Sequence, residues 1–309
     1  MPDVVIAAFY QFAKLPDFNN QQKPLLLLCQ EKSIKGTILL AEEGINGTIA
    51  GSRHGIDAVI SWLSSNPGLD NLEYKESYAT EVPFYRMKIR LKKEIVTIGI
   101  PETDPEEKVG IYVAPEEWND LISDPDVLVL DTRNDYEVGI GSFKNAHNPH
   151  TTTFRQFPQY VSNQLKSKQK TKIAMYCTGG IRCEKATSYM LDQGFDQVYH
   201  LKGGILNYLE KIPAEESLWE GECFVFDNRV AVNHQLAPGS YTQCHGCRSP
   251  LSAEDRQSPD YQKGVSCPHC IDSLTDEKRS GYEERQRQME LARIRNTHHI
   301  GEAGPIAAE

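Results

Sequence analysis

The chain has 309 residues and a mass of 34.8 kDa, which at about 150 residues per domain predicts about two domains, or three small ones. Charged residues make up 25% of the sequence and apolar residues 39%, a composition typical of a globular protein and unlike that of a disordered one. Asp and Glu outnumber Lys and Arg by 43 to 33. The resulting net charge of -10 excludes a uniformly basic nucleic-acid binder, but not one with a local basic face.

The sequence also indicates in which cellular compartment the protein is found. The densest apolar run, Leu25–Cys29, is far shorter than the roughly 18 residues of a membrane span. An acidic residue, Asp3, follows Met1 and Pro2, which does not fit a secretory signal. We therefore expect a cytoplasmic protein, in which the eight cysteines serve as thiols, metal ligands or catalytic groups rather than as disulfides.

Residues 1–100 have the order of strands and helices that predicts an α+β sandwich of the ferredoxin-like or acylphosphatase-like kind. In chain order we expect a strand at Val4–Phe9, a helix at Gln21–Glu31, strands at Thr37–Ala41 and Thr48–Ala50, a helix at Ile56–Leu63, and strands at Leu72–Tyr78 and Arg86–Leu91. Asn46-Gly47 is a turn dipeptide that tolerates positive φ, and we place the turn between the second and third strands there.

A second α/β unit, residues 111–220, follows an acidic linker at residues 101–110 that contains two prolines. Its apolar runs predict parallel strands that are buried on both faces. We expect these strands at Val127–Leu130, Lys172–Tyr176 and Gln197–Leu201. Pro115 suits the first position of a helix, and a helix from Cys183 to a stop at Gly194 joins two of the strands in a parallel crossover.

A glycine-rich loop joins the strand ending at Tyr176 to the start of that helix. The loop consists of Cys177, Thr178, Gly179, Gly180, Ile181 and Arg182. Two glycines allow successive N–H groups to point inward, which forms an anion-binding nest at the positive end of a helix. A cysteine there is expected to be a nucleophilic thiolate, with Arg182 as a fixed positive charge nearby. The alternative is a buried structural cysteine in a glycine-rich turn.

The spacing of this loop indicates what the thiolate binds. Four residues separate Cys177 from Arg182, one fewer than in a phosphatase loop of similar design. The tighter loop fits a single sulfur atom added to the cysteine, that is, a persulfide, rather than a tetrahedral phosphate. Cys177 and Arg182 are therefore the predicted catalytic residues.

Residues 235–309 contain two Cys-x-x-Cys pairs, separated by nineteen residues. The four cysteines are Cys244, Cys247, Cys267 and Cys270. Two such turns place four thiolates around one tetrahedral metal and leave no open position, so we predict a structural zinc ion. An iron–sulfur centre and redox dithiols are alternatives, and His245 or His269 could substitute as ligands.

A short basic segment stands out against the acidic background. Its cations alternate with apolar residues and would share one face of a strand, namely Arg86, Lys88, Arg90 and Lys92. Met87, Ile89 and Leu91 would then point inward. The cations are candidates for contact with a phosphate backbone, and the alternative is a solvated outer face. A charged helix predicted at Thr275–Asn296 mixes both signs, which favours a solvated surface there.

The second α/β unit resembles rhodanese domains. Asp131-Thr132-Arg133 after a buried strand is similar to their Asp-x-Arg signature, the Cys177 loop has the position of their active site, and Leu201–Ile205 matches their closing motif. The resemblance implies that Asp131, Arg133 and Glu137 brace the loop. Cys183 is either a resolving thiol or, as we favour, a packing residue at the helix start.

The order of motifs along the whole chain resembles the bacterial rhodanese-containing tRNA uridine hydroxylase family. The matching segments are Glu42–Thr48, Cys177–Lys185, Ser217–Phe226, the four-cysteine module and Arg285–Ala292. The resemblance implies oxygen-dependent hydroxylation at C5 of the wobble uridine 34 of tRNA. It also implies an essential, persulfide-forming Cys177, molecular oxygen as co-substrate, and tRNA held by the N-terminal domain.

Two other functions are open at the level of sequence. A plain rhodanese-type sulfurtransferase would move sulfur from thiosulfate or a protein persulfide to an acceptor, although a minimal rhodanese needs neither flanking domain. A non-enzymatic RNA-binding scaffold would use only the basic segment and the zinc module. The sequence has no dinucleotide fingerprint for a flavin or nicotinamide and no obvious two-His-one-carboxylate set.

Overall fold

The computed structural model describes residues 4–295, so the interpretations of Met1–Asp3 and of a helix end at Asn296 lie outside the described residues. The strands are β1 Val4–Phe12, β2 Lys35–Ala41, β3 Gly44–Gly51, β4 Tyr74–Ala79, β5 Met87–Leu91, β6 Ile111–Val113, β7 Val127–Asp131, β8 Gly141–Phe143, β9 Lys172–Tyr176, β10 Val198–Leu201, β11 Trp219–Gly221, β12 Cys223–Phe224, β13 Ala231–Val232, β14 Thr242–Gln243 and β15 Pro250–Leu251. The α-helices are α1 Phe18–Glu31, α2 Arg53–Ser64, α3 Pro115–Ser123, α4 Asp135–Val138, α5 Phe157–Tyr160, α6 Ile181–Asp192, α7 Gly204–Lys211 and α8 Asp276–Ile294. Short 3-10 turns lie at Phe154–Gln156, Lys166–Lys168, His234–Leu236, Asp255–Gln257 and Ile271–Ser273, and a π-helical turn lies at Val161–Leu165.

The N-terminal domain is a five-stranded sheet in the order β4-β1-β3-β2-β5. β1 pairs antiparallel with β3 and β4, β2 pairs antiparallel with β3, and β5 joins β2 in parallel. Helices α1 and α2 cover one face, where Leu25 and Val59 pack against alternate residues of β1 such as Ala7 and Phe9. The predicted α+β sandwich is confirmed.

The turn between β2 and β3 does not lie where Asn46-Gly47 indicates. Both residues lie inside β3, and the chain turns earlier, with Gly44 at a φ of 139°. A β-carbon at residue 47 would lie only 2.8 Å from the ring of Phe9, so the glycine serves close packing across the sheet. The amide of Asn46 donates to the Ile95 carbonyl at 3.0 Å. The prediction of a turn there was wrong because cross-strand packing, not turn geometry, requires this glycine.

The central domain is a four-stranded parallel sheet in the order β6-β10-β9-β7, with helices on both faces. Trp118 of α3 and Tyr208 of α7 belong to the core on one face. Met190 of α6 and Phe157 of α5 belong to the core on the other. The predicted parallel α/β architecture is confirmed, and Pro115 is the first residue of α3. α6 begins at Ile181, two residues earlier than predicted.

The C-terminal part is built from short hairpins followed by α8. β11 pairs with β8 of the central domain, and β14 pairs with β15 beside the cysteine pairs. Arg285 of α8 donates to the carbonyls of His245 and Gly264 at 2.9 and 2.8 Å, and its guanidinium lies 4.8 Å from the centre of the Tyr282 ring. Although its signs are mixed, α8 is therefore anchored to the four-cysteine module. Among residues 4–295, no helix has the length and apolar character needed to cross a bilayer.

Candidate active site and metal site

Cys177 directly follows β9, at the carboxyl edge of the parallel sheet, and its side chain is buried with 0% exposure. Its Sγ accepts a hydrogen bond from the Gly180 N–H at 3.1 Å. The carbonyls of Cys177 and Thr178 accept hydrogen bonds from Ile205 and Leu206 of α7 at 2.9 and 3.1 Å. The sulfur therefore lies at the amino end of α6, in a loop whose backbone is fixed by α7.

The electrostatics of the loop favour a thiolate at Cys177. Burial alone raises the pKa of this thiol, but the Cys183 thiol, the Arg182 charge and the Gly180 N–H outweigh burial and hold the pKa of Cys177 well below its usual range. Burial and the Cys177 charge raise the pKa of Cys183 instead. The Cys183 sulfur also lies 3.5 Å from the Thr132 hydroxyl. Of the two thiols, Cys177 therefore favours the thiolate form, and Cys183 stays protonated beside it.

Arg182 is held by a buried carboxylate. Its two terminal nitrogens donate to the two carboxylate oxygens of Glu137 at 2.7 and 2.8 Å, and one of them also donates to the Thr178 hydroxyl at 3.2 Å. Burial raises the pKa of Glu137, but the Arg182 charge lowers it by more than burial raises it. The pKa is therefore below its usual range, and the carboxylate is ionised. Arg182 therefore acts on Cys177 as a fixed charge beside it.

Asp131 and Arg133 support the site from behind. The Arg133 guanidinium donates to Asp131 at 2.6 Å, to the Glu137 carbonyl at 3.3 Å and to the Gly141 carbonyl at 2.6 Å. Its charge also lies over the Trp219 ring, 5.0 Å from the centre. These contacts link Asp131 and Arg133 to the backbone of Glu137, the residue whose carboxylate binds Arg182.

The closing motif needs glycine because it approaches the Cys177 loop closely. Gly203 and Gly204 both have positive φ, 73° and 67°. A β-carbon at Gly204 would lie 2.5 Å from the Cys177 carbonyl oxygen and 2.8 Å from the Gly179 nitrogen. Only a residue without a side chain allows α7 to start against the loop.

The N-terminal domain contributes side chains to this site that the sequence did not identify. The Tyr10 hydroxyl donates to Glu184 of α6 at 2.7 Å. It lies so close to Gly180 that a β-carbon there would be 2.6 Å from it. The Lys75 ammonium donates to the Gly203 carbonyl. The Cys177 loop is therefore covered by the face of the N-terminal sheet that lies opposite its helices.

A buried lysine joins the two domains next to the loop. Lys185 of α6 is 1% exposed, and its ammonium lies 2.7 Å from a carboxylate oxygen of Glu43 and 2.7 Å from one of Glu94. Glu43 also accepts a hydrogen bond from the Ile95 N–H at 2.6 Å. Glu43 and Lys185 each lie in a segment that resembles the tRNA uridine hydroxylase family, Glu42–Thr48 and Cys177–Lys185. The sequence analysis did not predict that these two residues form an ion pair.

The four predicted metal ligands come together. The potential ligand atoms of Cys244, Cys247, Cys267 and Cys270 all lie within 4.8 Å of one another. The Sγ atoms of Cys247 and Cys267, and those of Cys267 and Cys270, are 3.7 Å apart. Four thiolates on a tetrahedral ion with bonds of about 2.3 Å have sulfur atoms about 3.8 Å apart, so the cluster fits a metal ion such as zinc.

The two neighbouring histidines do not belong to this cluster. Among residues 4–295, the group that could hold an ion consists of the four cysteines. His269 Nε2 lies 3.2 Å from an oxygen of Asp255, and the backbone carbonyl of His245 accepts from Arg285. A closed set of four sulfurs indicates a structural rather than a catalytic ion.

Lys88 and Arg90 of the basic segment lie on β5, at the edge of the N-terminal sheet, and Arg86 and Lys92 flank this strand. Arg86, Arg90 and Lys92 are exposed, and Ile89 is buried as predicted. Leu91 is 38% exposed, so its predicted inward orientation was wrong, because it lies at the end of an edge strand. Burial lowers the pKa of Lys88, as do the charges of three neighbours, Arg86, Arg90 and Arg248. Arg248 belongs to the four-cysteine module, so the positive surface reaches from one domain to the other.

The two remaining cysteines pack in cores. Cys29 lies in the core of the N-terminal domain and Cys223 beside the central sheet, each with 0% exposure. Burial raises the pKa of each thiol to about 12. Both thiols are therefore protonated, and both side chains pack as small apolar groups.

Two sequence profiles match this chain, and several solved structures resemble parts of it. The sequence profile of the UPF0176 acylphosphatase-like domain matches residues 4–95, and that of the rhodanese-like domain matches residues 114–211. Among solved structures, a rhodanese-like domain from Anabaena sp. is 19% identical, with 36% of this chain and 78% of that chain covered and a TM-score of 0.30. A rhodanese-related protein from Thermoplasma volcanium is 21% identical, with coverage of 32% and 90% and a TM-score of 0.27. An acylphosphatase from Coxiella burnetii is 15% identical, with coverage of 29% and 94% and a TM-score of 0.24. The chain therefore contains an acylphosphatase-like domain of the UPF0176 type, followed by a rhodanese-like domain.

Proposed function

We propose that the protein is a tRNA-modifying oxidoreductase that hydroxylates C5 of wobble uridine 34 in an oxygen-dependent reaction. The observation that supports this most is the Cys177 thiolate, which lies in a rhodanese loop covered by the UPF0176 domain. The order of motifs along the chain, which resembles that of tRNA uridine hydroxylases, supplies the substrate and the reaction class. Molecular oxygen is the proposed co-substrate: one of its atoms would enter the uridine and the other would leave as water, with two electrons and two protons supplied by an external reductant.

Cys177 is the residue on which this chemistry depends. As a thiolate it can attack the outer sulfur of a sulfur donor, form a persulfide and release the remainder of the donor as the leaving group, which keeps the electron pair of the broken bond. Arg182 and the Gly180 N–H stabilise negative charge at this position before and after the transfer. The loop spacing that fits one added sulfur is consistent with this step.

The remaining parts of the molecule have supporting roles in the proposal. The positive surface from β5 to Arg248 would contact the phosphate backbone of tRNA, which reconciles the net charge of -10 with a nucleic-acid partner. The four-cysteine cluster would hold a structural zinc ion and thereby keep Arg248 beside Lys88. We also propose that the protein works in the cytoplasm.

Nucleoside mass spectrometry tests the proposal directly. tRNA is isolated from a deletion strain that lacks any parallel pathway and that expresses wild type, Cys177→Ser or, as a matched control, Cys29→Ser. We expect 5-hydroxyuridine-derived nucleosides in wild type and control and none in Cys177→Ser. Wild-type levels of these nucleosides in the deletion strain would rule the function out, and production without oxygen would rule out the oxygenase chemistry.

The second candidate is a rhodanese-type sulfurtransferase that uses thiosulfate or a protein persulfide. The specific observation in its favour is the same four-residue spacing between Cys177 and Arg182. This function predicts efficient turnover with thiosulfate and an acceptor, at a rate that does not depend on oxygen. Steady-state assays with and without oxygen, on the same protein, separate the two candidates.

A further inference from the structure

Lys75 extends from the N-terminal sheet toward the catalytic loop of the other domain. It lies on β4 opposite Ala8 of β1, and residue 10 is two positions further along β1. Because side chains alternate along a strand, Lys75 and Tyr10 share the face opposite α1 and α2. The Lys75 ammonium donates to the Gly203 carbonyl, immediately before α7.

A short series of contacts links this ammonium to the catalytic sulfur. A β-carbon at Gly180 would lie 3.6 Å from the α-carbon of Gly203, so the Lys75 acceptor lies directly against the loop. The N–H of that same Gly180 is the group that donates to the Cys177 sulfur at 3.1 Å. Two residues after Gly203, the N–H of Ile205 donates to the Cys177 carbonyl. Lys75 therefore contacts the segment that holds the loop.

The charges around Lys75 favour a protonated amine that interacts with the thiolate. Burial lowers its pKa to about 8, while the charges of Glu210 and Cys177 act in the opposite direction. Lys211 and Glu73 are the other charged groups that act on it. A pKa of about 8 leaves most of the amine protonated at neutral pH.

We infer that Lys75 is a positioning residue of the Cys177 site, a second cation that stabilises the thiolate and any anionic sulfur attached to it. Arg182 acts on the sulfur from within α6, whereas Lys75 acts from the other domain across Gly203. The UPF0176 domain then has a part in sulfur chemistry as well as in the proposed binding of tRNA. This inference rests on Cys177 being the reactive thiol of the proposed function, but not on hydroxylation of tRNA.

The test is the pH dependence of alkylation of Cys177 by iodoacetamide in the full-length protein, followed by mass spectrometry of the Cys177 peptide. Three variants separate the effect of the Lys75 charge from that of its hydrogen bond to Gly203. Lys75→Met removes both, Lys75→Gln keeps a hydrogen-bond donor for Gly203, and Lys75→Arg keeps the charge. Lys23→Met, at an exposed position of the same domain, is the matched control. Thermal unfolding of each variant verifies that it is folded.

We expect the midpoint of the alkylation profile to move up by about one pH unit in Lys75→Met and Lys75→Gln, because the lost cation no longer favours the thiolate. Lys75→Arg and Lys23→Met should keep the wild-type midpoint. An unchanged midpoint in both neutral variants would overturn the inference. A shift in Lys75→Met alone would also overturn it, since contact rather than charge would then be responsible. Modification of tRNA does not enter this assay, so its outcome is independent of whether the protein is a hydroxylase.

Discussion

The molecule has two sites built from cysteine, and their surroundings differ in kind. At Cys177, the groups that converge on one sulfur are a backbone N–H, a thiol and a guanidinium charge, all of which favour negative charge. In the four-cysteine module, the groups that converge are other sulfurs, all within 4.8 Å. The surroundings of Cys177 stabilise a single thiolate. The four-cysteine module instead fits a metal ion that would bind all four sulfurs.

This difference shows that the role of a cysteine depends on what it faces rather than on its burial. Cys177, Cys29 and Cys267 are all buried with 0% exposure. Of these three, Cys177 alone has a pKa that neighbouring donors and charges lower despite burial, while burial raises the pKa of Cys29 and of Cys267. We therefore expect substitutions in the four-cysteine module to remove the metal, and substitution of Cys177 to remove the activity.

The largest effect is expected for Cys267→Ser combined with Cys270→Ser. Two of four ligands are lost, and with them a binding free energy on the order of 10 kcal/mol that stabilises the module. Elemental analysis should find about one zinc per chain in wild type and none in the double variant. Cys177 should remain as reactive toward iodoacetamide as before. Retention of a full metal equivalent would refute the assignment of these ligands.

Cys177→Ser should have the next largest effect, confined to activity. A serine hydroxyl is not ionised near neutral pH, so we expect the product of the tRNA reaction to fall by about 10³-fold or more. Metal content and the melting temperature should stay at their wild-type values. Loss of zinc from this variant would mean that the two cysteine sites are not independent.

Lys185→Met should destabilise the protein by about 3 kcal/mol, because it leaves the carboxylates of Glu43 and Glu94 together without their cation. Urea unfolding, with Lys23→Met as a matched exposed control, measures the change. Since the lysine joins the two domains, the N-terminal domain should also become more sensitive to limited proteolysis. An unchanged urea midpoint would show that the ion pairs contribute nothing to the interface.

The smallest effect is expected for Cys29→Ala, which represents a purely packing cysteine. Loss of the buried sulfur should cost about 1 kcal/mol of unfolding free energy, measured in urea. Zinc content and tRNA modification should not change. A loss of activity in this variant would contradict the assignment of Cys29 to the core alone.

Local patterns in the sequence were sufficient to predict much of the fold and of both cysteine sites. The apolar runs at Val127–Leu130 and Lys172–Tyr176 are buried parallel strands because such strands contain few polar residues. The spacing of the four cysteines matches the geometry of a tetrahedral metal site, so their convergence could be predicted without a structure. The nest at Gly180 follows from the glycines and from the helix that starts beside them.

What could not be predicted depends on contacts between distant parts of the chain. Tyr10 and Lys75 look like ordinary polar residues on alternating strands, and nothing near them in sequence identifies Glu184 or Gly203 as their partners. Asn46-Gly47 was misread because the same dipeptide suits a turn and a crowded strand. Leu91 was misplaced because the alternation of a strand says nothing about whether its end is covered.

The contact between Tyr10 and Gly180 limits how this protein can change over evolution. A side chain at residue 180 would collide with the Tyr10 hydroxyl of the other domain, 2.6 Å from the new β-carbon. Replacement of either domain alone would therefore change the surface that covers the Cys177 loop, so we expect the loop and the facing side of the N-terminal sheet to change together.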